Sequence, residues 1–346
     1  MMSPLITIIV PVYNVEDYLP TCLDSLLRQG IGEERYEVVL VNDGSTDDSE
    51  SICKGYVAQH SNFFLLNQDN QGVAAARNHG LDFAHGKYVI FVDSDDFLAE
   101  YGLNRLVDVL MSHSGIDLVR YYSSYSNHVS DGTDEIDYEG EAGSLLASGG
   151  YPAFVWTFAY RKEFLDEYQI RFAKLRFSED SLFIATVFLH NPSVCSTRAN
   201  IYRYVLRQDS AVGKRDKIIS RLSAEDGISA YELINHEMEK SVFAADQTIR
   251  DTCIASMNRK KTPIYSRLLG AAYNGEEFKK MKQRIILNLF YPMKPWSEDK
   301  RTKMVCMALN FIFSNYIIYK PVSWFFNQFF TPYILPAYRK RVWLTN

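Results

Sequence analysis

Tyr88-Val89-Ile90-Phe91-Val92-Asp93-Ser94-Asp95-Asp96 is the stretch on which the reading of this chain turns. An apolar run of β-branched and aromatic residues ends abruptly in four residues, three of them acidic. The run has the length and composition of a buried strand. Carboxylates at the C-terminal end of such a strand stand where open α/β sheets bind ligands. Asp93 and Asp95 are spaced i, i+2, and like charges this close repel one another. A divalent cation relieves that repulsion, and carboxylate oxygen is the ligand that Mg²⁺ or Mn²⁺ prefers. The residues alone leave a second reading open, a strand end followed by a helix that Asp93 or Ser94 caps.

Upstream, Thr7 to Val12 reads as a buried strand that runs through Tyr13-Asn14 into a turn. Asn14 with Asp17 has the form of a capping box, and Leu19, Cys22, Leu23, Leu26 and Leu27 recur at helical spacing. Pro20 belongs in the first turn of that helix. A second strand, Tyr36 to Val41, ends in Asn42-Asp43-Gly44-Ser45-Thr46-Asp47-Asp48, a turn and helix-start cluster. A helix to about His60 and a short strand Phe63 to Leu66 follow. Residues 70–80 then predict a helix whose small side chains allow close packing. Four β-then-α units in such a span predict a parallel, doubly wound sheet. The polar clusters after strands one, two and four then share one rim. The phosphate fingerprints G-x-G-x-x-G and G-x-x-x-x-G-K-[ST] are absent, which argues against a dinucleotide oxidoreductase and a P-loop enzyme.

Downstream, 103–113 predicts a helix and 117–122 a strand. Ser123 to Gly150, rich in Ser, Asp, Gly and Glu, reads as a mobile loop or hairpin. Order resumes at Phe154 to Tyr160, followed by a short helix from Lys162. Ser178 or Asp180 then caps a helix through Leu189. Ile201 to Val205 is strand-like, and 217 to about 290 carries helical periodicity.

The chain has 346 residues, 47% hydrophobic and 23% charged, enough for a sizeable core and two domains. Cys22, Cys53, Cys195, Cys253 and Cys306 are scattered and odd in number, which argues for a reducing compartment over a disulfide framework. The N-terminal run lacks a basic lead and contains Pro11, so it reads as a strand and not a signal peptide. The seven histidines form no H-x-x-x-H pair, which argues against zinc. The net charge is −5, yet Lys300 to Asn346 holds seven Lys/Arg and no Asp/Glu, leaving −12 elsewhere. Such asymmetry suggests an end that meets something anionic.

Taken in order, Pro11-Val12-Tyr13-Asn14, Val41-Asn42-Asp43-Gly44-Ser45-Thr46-Asp47, Asn70-x-Gly72 with Ala76-Arg77-Asn78, Asp93-Ser94-Asp95-Asp96 and Ser178-Glu179-Asp180 resemble the family 2 glycosyltransferases. These are inverting enzymes of the Rossmann-like GT-A fold that use nucleotide-diphosphate sugars. The likeness covers roughly residues 5 to 215. It implies an α/β GT-A domain over 1–215, a helical region over 216–299 and a basic, aromatic-rich tail over 300–346. By resemblance, Pro11, Val12, Tyr13 and Asp43 hold the nucleobase and ribose, usually of uridine. Asp43 also reads as an Asx-turn residue before Gly44.

Arg77 resembles the diphosphate or base contact, a role that suits a guanidinium. Asp93 with Ser94 would contact the ribose. Asp95, with Asp96 sharing the role, would hold Mn²⁺ or Mg²⁺, a Lewis acid for the departing diphosphate. Asp180 resembles the catalytic base that takes the acceptor hydroxyl's proton, with Glu179 positioning acceptor or metal. Arg203 or Arg207 would close over the pyrophosphate. Trp156 and Tyr160 would stack on an acceptor sugar, or else fill the core.

The expected activity is transfer of a sugar from a nucleotide-diphospho-sugar, UDP-linked, to a glycan or lipid-linked acceptor in surface polysaccharide assembly. Nucleic acid is not an expected partner. The rivals are an inactive sugar-nucleotide-binding or scaffold subunit and a nucleotidyltransferase. The latter needs a basic Gly-rich loop after strand one, which Pro11-Val12-Tyr13-Asn14 is not. In the tail, Met304 to Tyr319 is short and polar for a membrane span, and Pro321 is expected to end it. It reads as an in-plane amphipathic helix on an anionic membrane surface, or as an extension packed on the protein. The expected location is the cytoplasm, peripheral on the inner membrane face.

Overall fold

The computed structural model describes residues 3–125, 132–147, 154–206, 217–246, 264–287, 292–293 and 299–328. The chain divides into two compact units, one of Met1–Leu145 with Pro152–Arg207, the other of Leu146–Tyr151 with Gln208–Asn346.

In the first unit the strands are β1 (Ile6–Val12), β2 (Tyr36–Asn42), β3 (Phe63–Asn67), β4 (Tyr88–Phe91), β5 (Phe97–Leu98), β6 (Leu118–Tyr125), β7 (Gly132–Glu141), β8 (Phe158–Arg161) and β9 (Ser193–Tyr204). The helices are α1 (Leu19–Leu27), α2 (Ser49–Gln59), α3 (Val73–Phe83), α4 (Gly102–Ser112), α5 (Ala142–Ala147), α6 (Lys162–Glu167) and α7 (Glu179–Leu189). The sheet order is β3-β2-β1-β4-β8-β6-β9-β5, with β7 against β9.

β1, β2 and β4 are buried along their whole length, which is why they read as continuous apolar runs. β1 pairs in parallel with β2 (Ile6 opposite Tyr36) on one side and β4 (Ile6 opposite Tyr88) on the other. The winding direction reverses between β1 and β4, so the crevice for a ligand opens at their C-terminal ends. The registers carry Tyr13, Asp43 and Asp93 to that same rim. α3 lies tight on β1, because a Cβ at Gly80 would stand 2.5 Å from Ile9 Cγ2. The small residues of this helix therefore serve the close approach expected of them.

Several local expectations differ. Asn14 does not cap α1, which begins at Leu19 with Pro20 in its first turn. Asn14 takes a left-handed φ of 49°, and its side chain accepts from the Thr46 backbone N–H at 2.8 Å. The would-be capping box thus ties the loop after β1 to the loop after β2. Beyond β4 the sheet turns mixed, with β8 antiparallel to both β4 and β6.

β6 runs on through Tyr125, and the expected mobile loop or hairpin contains β7 and α5, with β6 and β7 each pairing β9; 126–131 and 148–150 lie outside the described residues. β7 escaped notice because Asp134, Glu135, Asp137, Glu139 and Glu141 crowd a strand with one watered face. It pairs antiparallel with β9, itself longer than the Ile201–Val205 run suggested.

The second unit holds helices Lys217–Lys240, 264–270, Gly275–Leu287, Lys300–Ile312 and Tyr316–Phe325. Arg284 pairs with Glu232 at 2.8 Å and Arg221 with Glu277 at 2.6 Å. The tail packs within this unit: Phe313 and Tyr319 are buried, and both rings meet Phe278. The expected single helix from Met304 to Tyr319 is broken at Phe313–Asn315, where the Asn315 side chain accepts from the Ile318 N–H and starts a new helix. Pro321 sits inside that helix and does not end the run.

Candidate active site

The loop after β4 is held from four sides. The Cys22 thiol of α1 donates to the Asp93 carbonyl. The Tyr202 hydroxyl of β9 accepts from the Asp93 N–H at 3.2 Å and donates to Asp96 Oδ2 at 2.7 Å. The Val205 N–H donates to Asp96 Oδ1 at 2.7 Å. From α3, Arg77 Nη2 donates to Asp93 Oδ1 at 2.9 Å.

Arg77 carries the most information. It is only 3% exposed. Its Nη1 donates to Asp180 Oδ1 at 2.6 Å and to Glu179 Oε1 at 3.0 Å. The Phe172 ring packs against the guanidinium, 5.3 Å from Cζ to the centroid. One cation thus joins the loop after β4 to the start of α7. Its terminal nitrogens face carboxylates, so a diphosphate contact would have to displace them. The geometry gives Arg77 the work of setting carboxylate positions instead. Burial weakens its charge, but Asp180, Asp93 and Glu179 more than restore it and hold it beyond the usual arginine range.

Burial and the neighbouring Asp180 push the Glu179 carboxyl up to about 8, against the pull of Arg77. Burial raises the Asp180 carboxyl as well, against the pull of Arg77, so the two carboxyls share a hydrogen bond beside one guanidinium, with Asp180 the nearer of the two to Arg77. Contact with that cation favours the ionised form of Asp180, the form a general base requires. Ser178 is the N-cap of α7 in a left-handed conformation, φ 66°, with no side-chain capping bond. Asp180 thus lies in the first helical turn, not at the cap.

Asp43 is buried at the start of α3. Its Oδ1 accepts from Gln68 Nε2 at 2.7 Å and the Gln71 N–H at 2.8 Å, and its Oδ2 from the Gly72 N–H at 2.8 Å. The carboxylate suits this helix N-terminus, so its bonds hold the 68–72 loop and not an Asx turn at Gly44. A carboxylate has about four acceptor positions, and these bonds occupy three of them. Pro11 and Val12 are buried within β1, while Tyr13 at its end is exposed.

Asp93 and Asp95 are half-buried and Ser94 is buried. Asp96 is fully enclosed; burial, with Asp93 and Asp95 beside it, pushes its carboxyl up to about 8. Both of its oxygens are taken, by the Tyr202 hydroxyl of β9 and the Val205 N–H just beyond it, so the expected share in metal binding gives way to a structural role. Among the described residues no three Asp, Glu, His or Cys side chains could hold a cation by themselves. Asp93 and Asp95 still fit the chemistry, since Mg²⁺-like ions are commonly held by one or two carboxylates plus substrate phosphates.

The aromatic expectations need correction. Tyr160 is in the core, its hydroxyl donating to the Val155 carbonyl at 3.0 Å and its ring edge-on to Phe91 and Phe183. Trp156 is buried in a stack with Phe154, Tyr202 and Tyr204, the Tyr202 ring 4.3 Å away. Neither offers a free face to a sugar. Phe154, the exposed end of the stack, and Tyr202, the hydroxyl behind Asp93 and Asp96, were missed. No period-two signal or motif marks either. Arg203 is buried and donates to the Asn200 carbonyl at 2.9 Å, so it does not reach over a ligand. Arg207 lies outside the described residues. A surface hollow of about 570 Å³, lined by Lys87, Arg161, Lys162 and their neighbours, sits at the opposite end of β4 and holds none of these residues.

Residues 7–169 match the family model described as Glycosyl transferase family 2. Over 241 residues the chain is 27% identical to the putative glycosyltransferase EpsH of Bacillus subtilis (strain 168), covering 67% of this chain and 68% of EpsH. Among solved structures it resembles S. aureus TarS 1–349 in complex with UDP, with TM-score 0.52 and 20% identity over 93% of this chain and 91% of that one. It also resembles the mannosyltransferase PcManGT from Pyrobaculum calidifontis, solved with GDP-Man and Mn²⁺. There the TM-score is 0.56 and the identity 16%, over 94% of this chain and 87% of PcManGT. The two likenesses establish the fold as that of the GT-A transferases. Through residues 7–169 the chain belongs to glycosyl transferase family 2, and it is a glycosyltransferase by family.

Proposed function

We propose that this chain moves a sugar, with inversion at the anomeric carbon, from a uridine-diphosphate sugar to a hydroxyl of a glycan or lipid-linked glycan. The observation that carries the reading is the single buried guanidinium of Arg77 joining Asp93 to Glu179 and Asp180. It fixes a pair of carboxyls beside the loop that would meet the donor's diphosphate.

Asp180 takes the proton of the acceptor hydroxyl as that oxygen attacks the anomeric carbon. The bond from that carbon to the diphosphate oxygen breaks, and the electron pair leaves with the nucleoside diphosphate. Asp95 and Asp93 would hold Mn²⁺ or Mg²⁺, which supplies Lewis-acid stabilisation of the leaving group. Asp43, Pro11, Val12 and Tyr13 would face the uridine, and Phe154 is the aromatic surface available to an acceptor sugar. TarS with UDP and PcManGT with GDP-Man and Mn²⁺ support the choice of donor class and cation. The acceptor class rests on the family likeness.

The test is a panel of nucleotide-diphospho-sugars incubated with the full chain and Mn²⁺, scored for transfer or slow hydrolysis. A uridine-linked sugar should be consumed, and a chelator should stop it. Turnover that prefers another base would overturn the uridine assignment. Turnover undiminished by the chelator would overturn the cation.

A further inference from the structure

The helices Lys300–Ile312 and Tyr316–Phe325 turn their polar side inward. The Asn310 amide donates to the Met293 carbonyl at 3.0 Å and accepts from the Met293 N–H at 2.6 Å. The Tyr319 hydroxyl donates to the Leu268 carbonyl at 2.8 Å and accepts from the Tyr273 N–H at 3.1 Å. The Ser323 hydroxyl donates to the Leu269 carbonyl at 2.6 Å. The outward side mixes basic residues with exposed apolar ones. Met304, Met307 and Phe311 share one face of the first helix, and Ile317 and Trp324 one face of the second. Met307 is 70% exposed, Phe311 65% and Ile317 83%. A helix packed on a protein and facing water carries the opposite arrangement.

The charge on these two helices is basic. Lys300, Arg301 and Lys303 open the first helix, Lys320 lies on the second, and 300–328 contains no Asp or Glu, although Glu298 and the N-cap Asp299 directly precede Lys300. Among the described residues no single helix is long and apolar enough to cross a membrane, and these two helices, bent 112° at their junction, reach that length and composition only together. Interfacial helices combine exposed aromatic and aliphatic side chains with Lys and Arg in this way, without spanning.

We propose that this face docks on the headgroup region of an anionic bilayer, its apolar side chains entering the interface and its basic residues meeting lipid phosphates. A second copy of the chain is the poorer occupant. A second copy would bring the same basic residues to the contact, with no Asp or Glu in 300–328 to meet them.

The test uses the full chain with vesicles containing phosphatidylglycerol and with vesicles of phosphatidylcholine alone. The protein should sediment with the first, less so at high salt, and poorly with the second. Phe311→Ser with Ile317→Ser should cut partitioning about tenfold or more while thermal unfolding stays as in wild type. Lys300→Gln with Arg301→Gln and Lys303→Gln should remove the preference for phosphatidylglycerol. Recovery of wild type in the supernatant with both vesicle types overturns the proposal. So does a Phe311/Ile317 variant that partitions like wild type, or one that changes sedimentation velocity instead, which would mean a second copy covers the face.

Discussion

Asp180→Asn should lower the rate of sugar transfer about 10²–10⁴-fold with nucleotide affinity nearly unchanged. Asparagine keeps the shape of the side chain and an oxygen for the Arg77 N–H, which now donates to Asp180 Oδ1 at 2.6 Å. It loses the charge and the ability to accept a proton, which is the part the displacement needs. Steady-state transfer together with nucleotide binding by calorimetry separates the two effects. Undiminished transfer would remove Asp180 from the base role. A matching loss of nucleotide affinity would make it a donor-site scaffold instead.

Arg77→Ala should be the most destabilising single change at this site, by about 3–5 kcal/mol, because it strips a buried cation from its carboxylate partners. Asp93, Glu179 and Asp180 would be left facing one another with no counter-charge. Arg77→Lys should recover only part of the loss, since an ammonium lacks the planar fork that reaches both the β4 loop and α7. Denaturant unfolding measures both variants. An exposed helix arginine would cost within about 0.5 kcal/mol when truncated, and a value that small for Arg77→Ala would contradict the geometry.

How much of this was legible in the amino acids depends on what each residue faces. β1, β2 and β4 announce themselves because both of their faces are buried. The rim residues Asp43 and Asp93 follow from where those strands end. The link from Arg77 to Asp180 spans 103 positions, and no local pattern encodes it. β7 hid behind polar residues because one of its faces is watered, and the first half of β9 because buried Ser196 and Thr197 interrupt its apolar run.

Trp156 and Tyr160 have the same composition whether they stack on a sugar or on Tyr202 and Phe91, so only packing decides. Asp95 and Asp96 are chemically identical neighbours. What separates them is Tyr202 and the Val205 N–H, brought from the end of β9. In the tail, hydropathy alone runs straight through Asn315, whereas the asparagine side chain caps a new helix there.

The account stands on a cation-assisted nucleotide site at the C-terminal ends of β1, β2 and β4. Titrating uridine diphosphate into the full chain by calorimetry, with and without Mn²⁺, tests it most directly. Binding should depend on Mn²⁺, and Asp95→Ala should lose that dependence along with most of the affinity. Equal affinity in the presence and absence of Mn²⁺, or an Asp95→Ala protein that binds as wild type does, would contradict it.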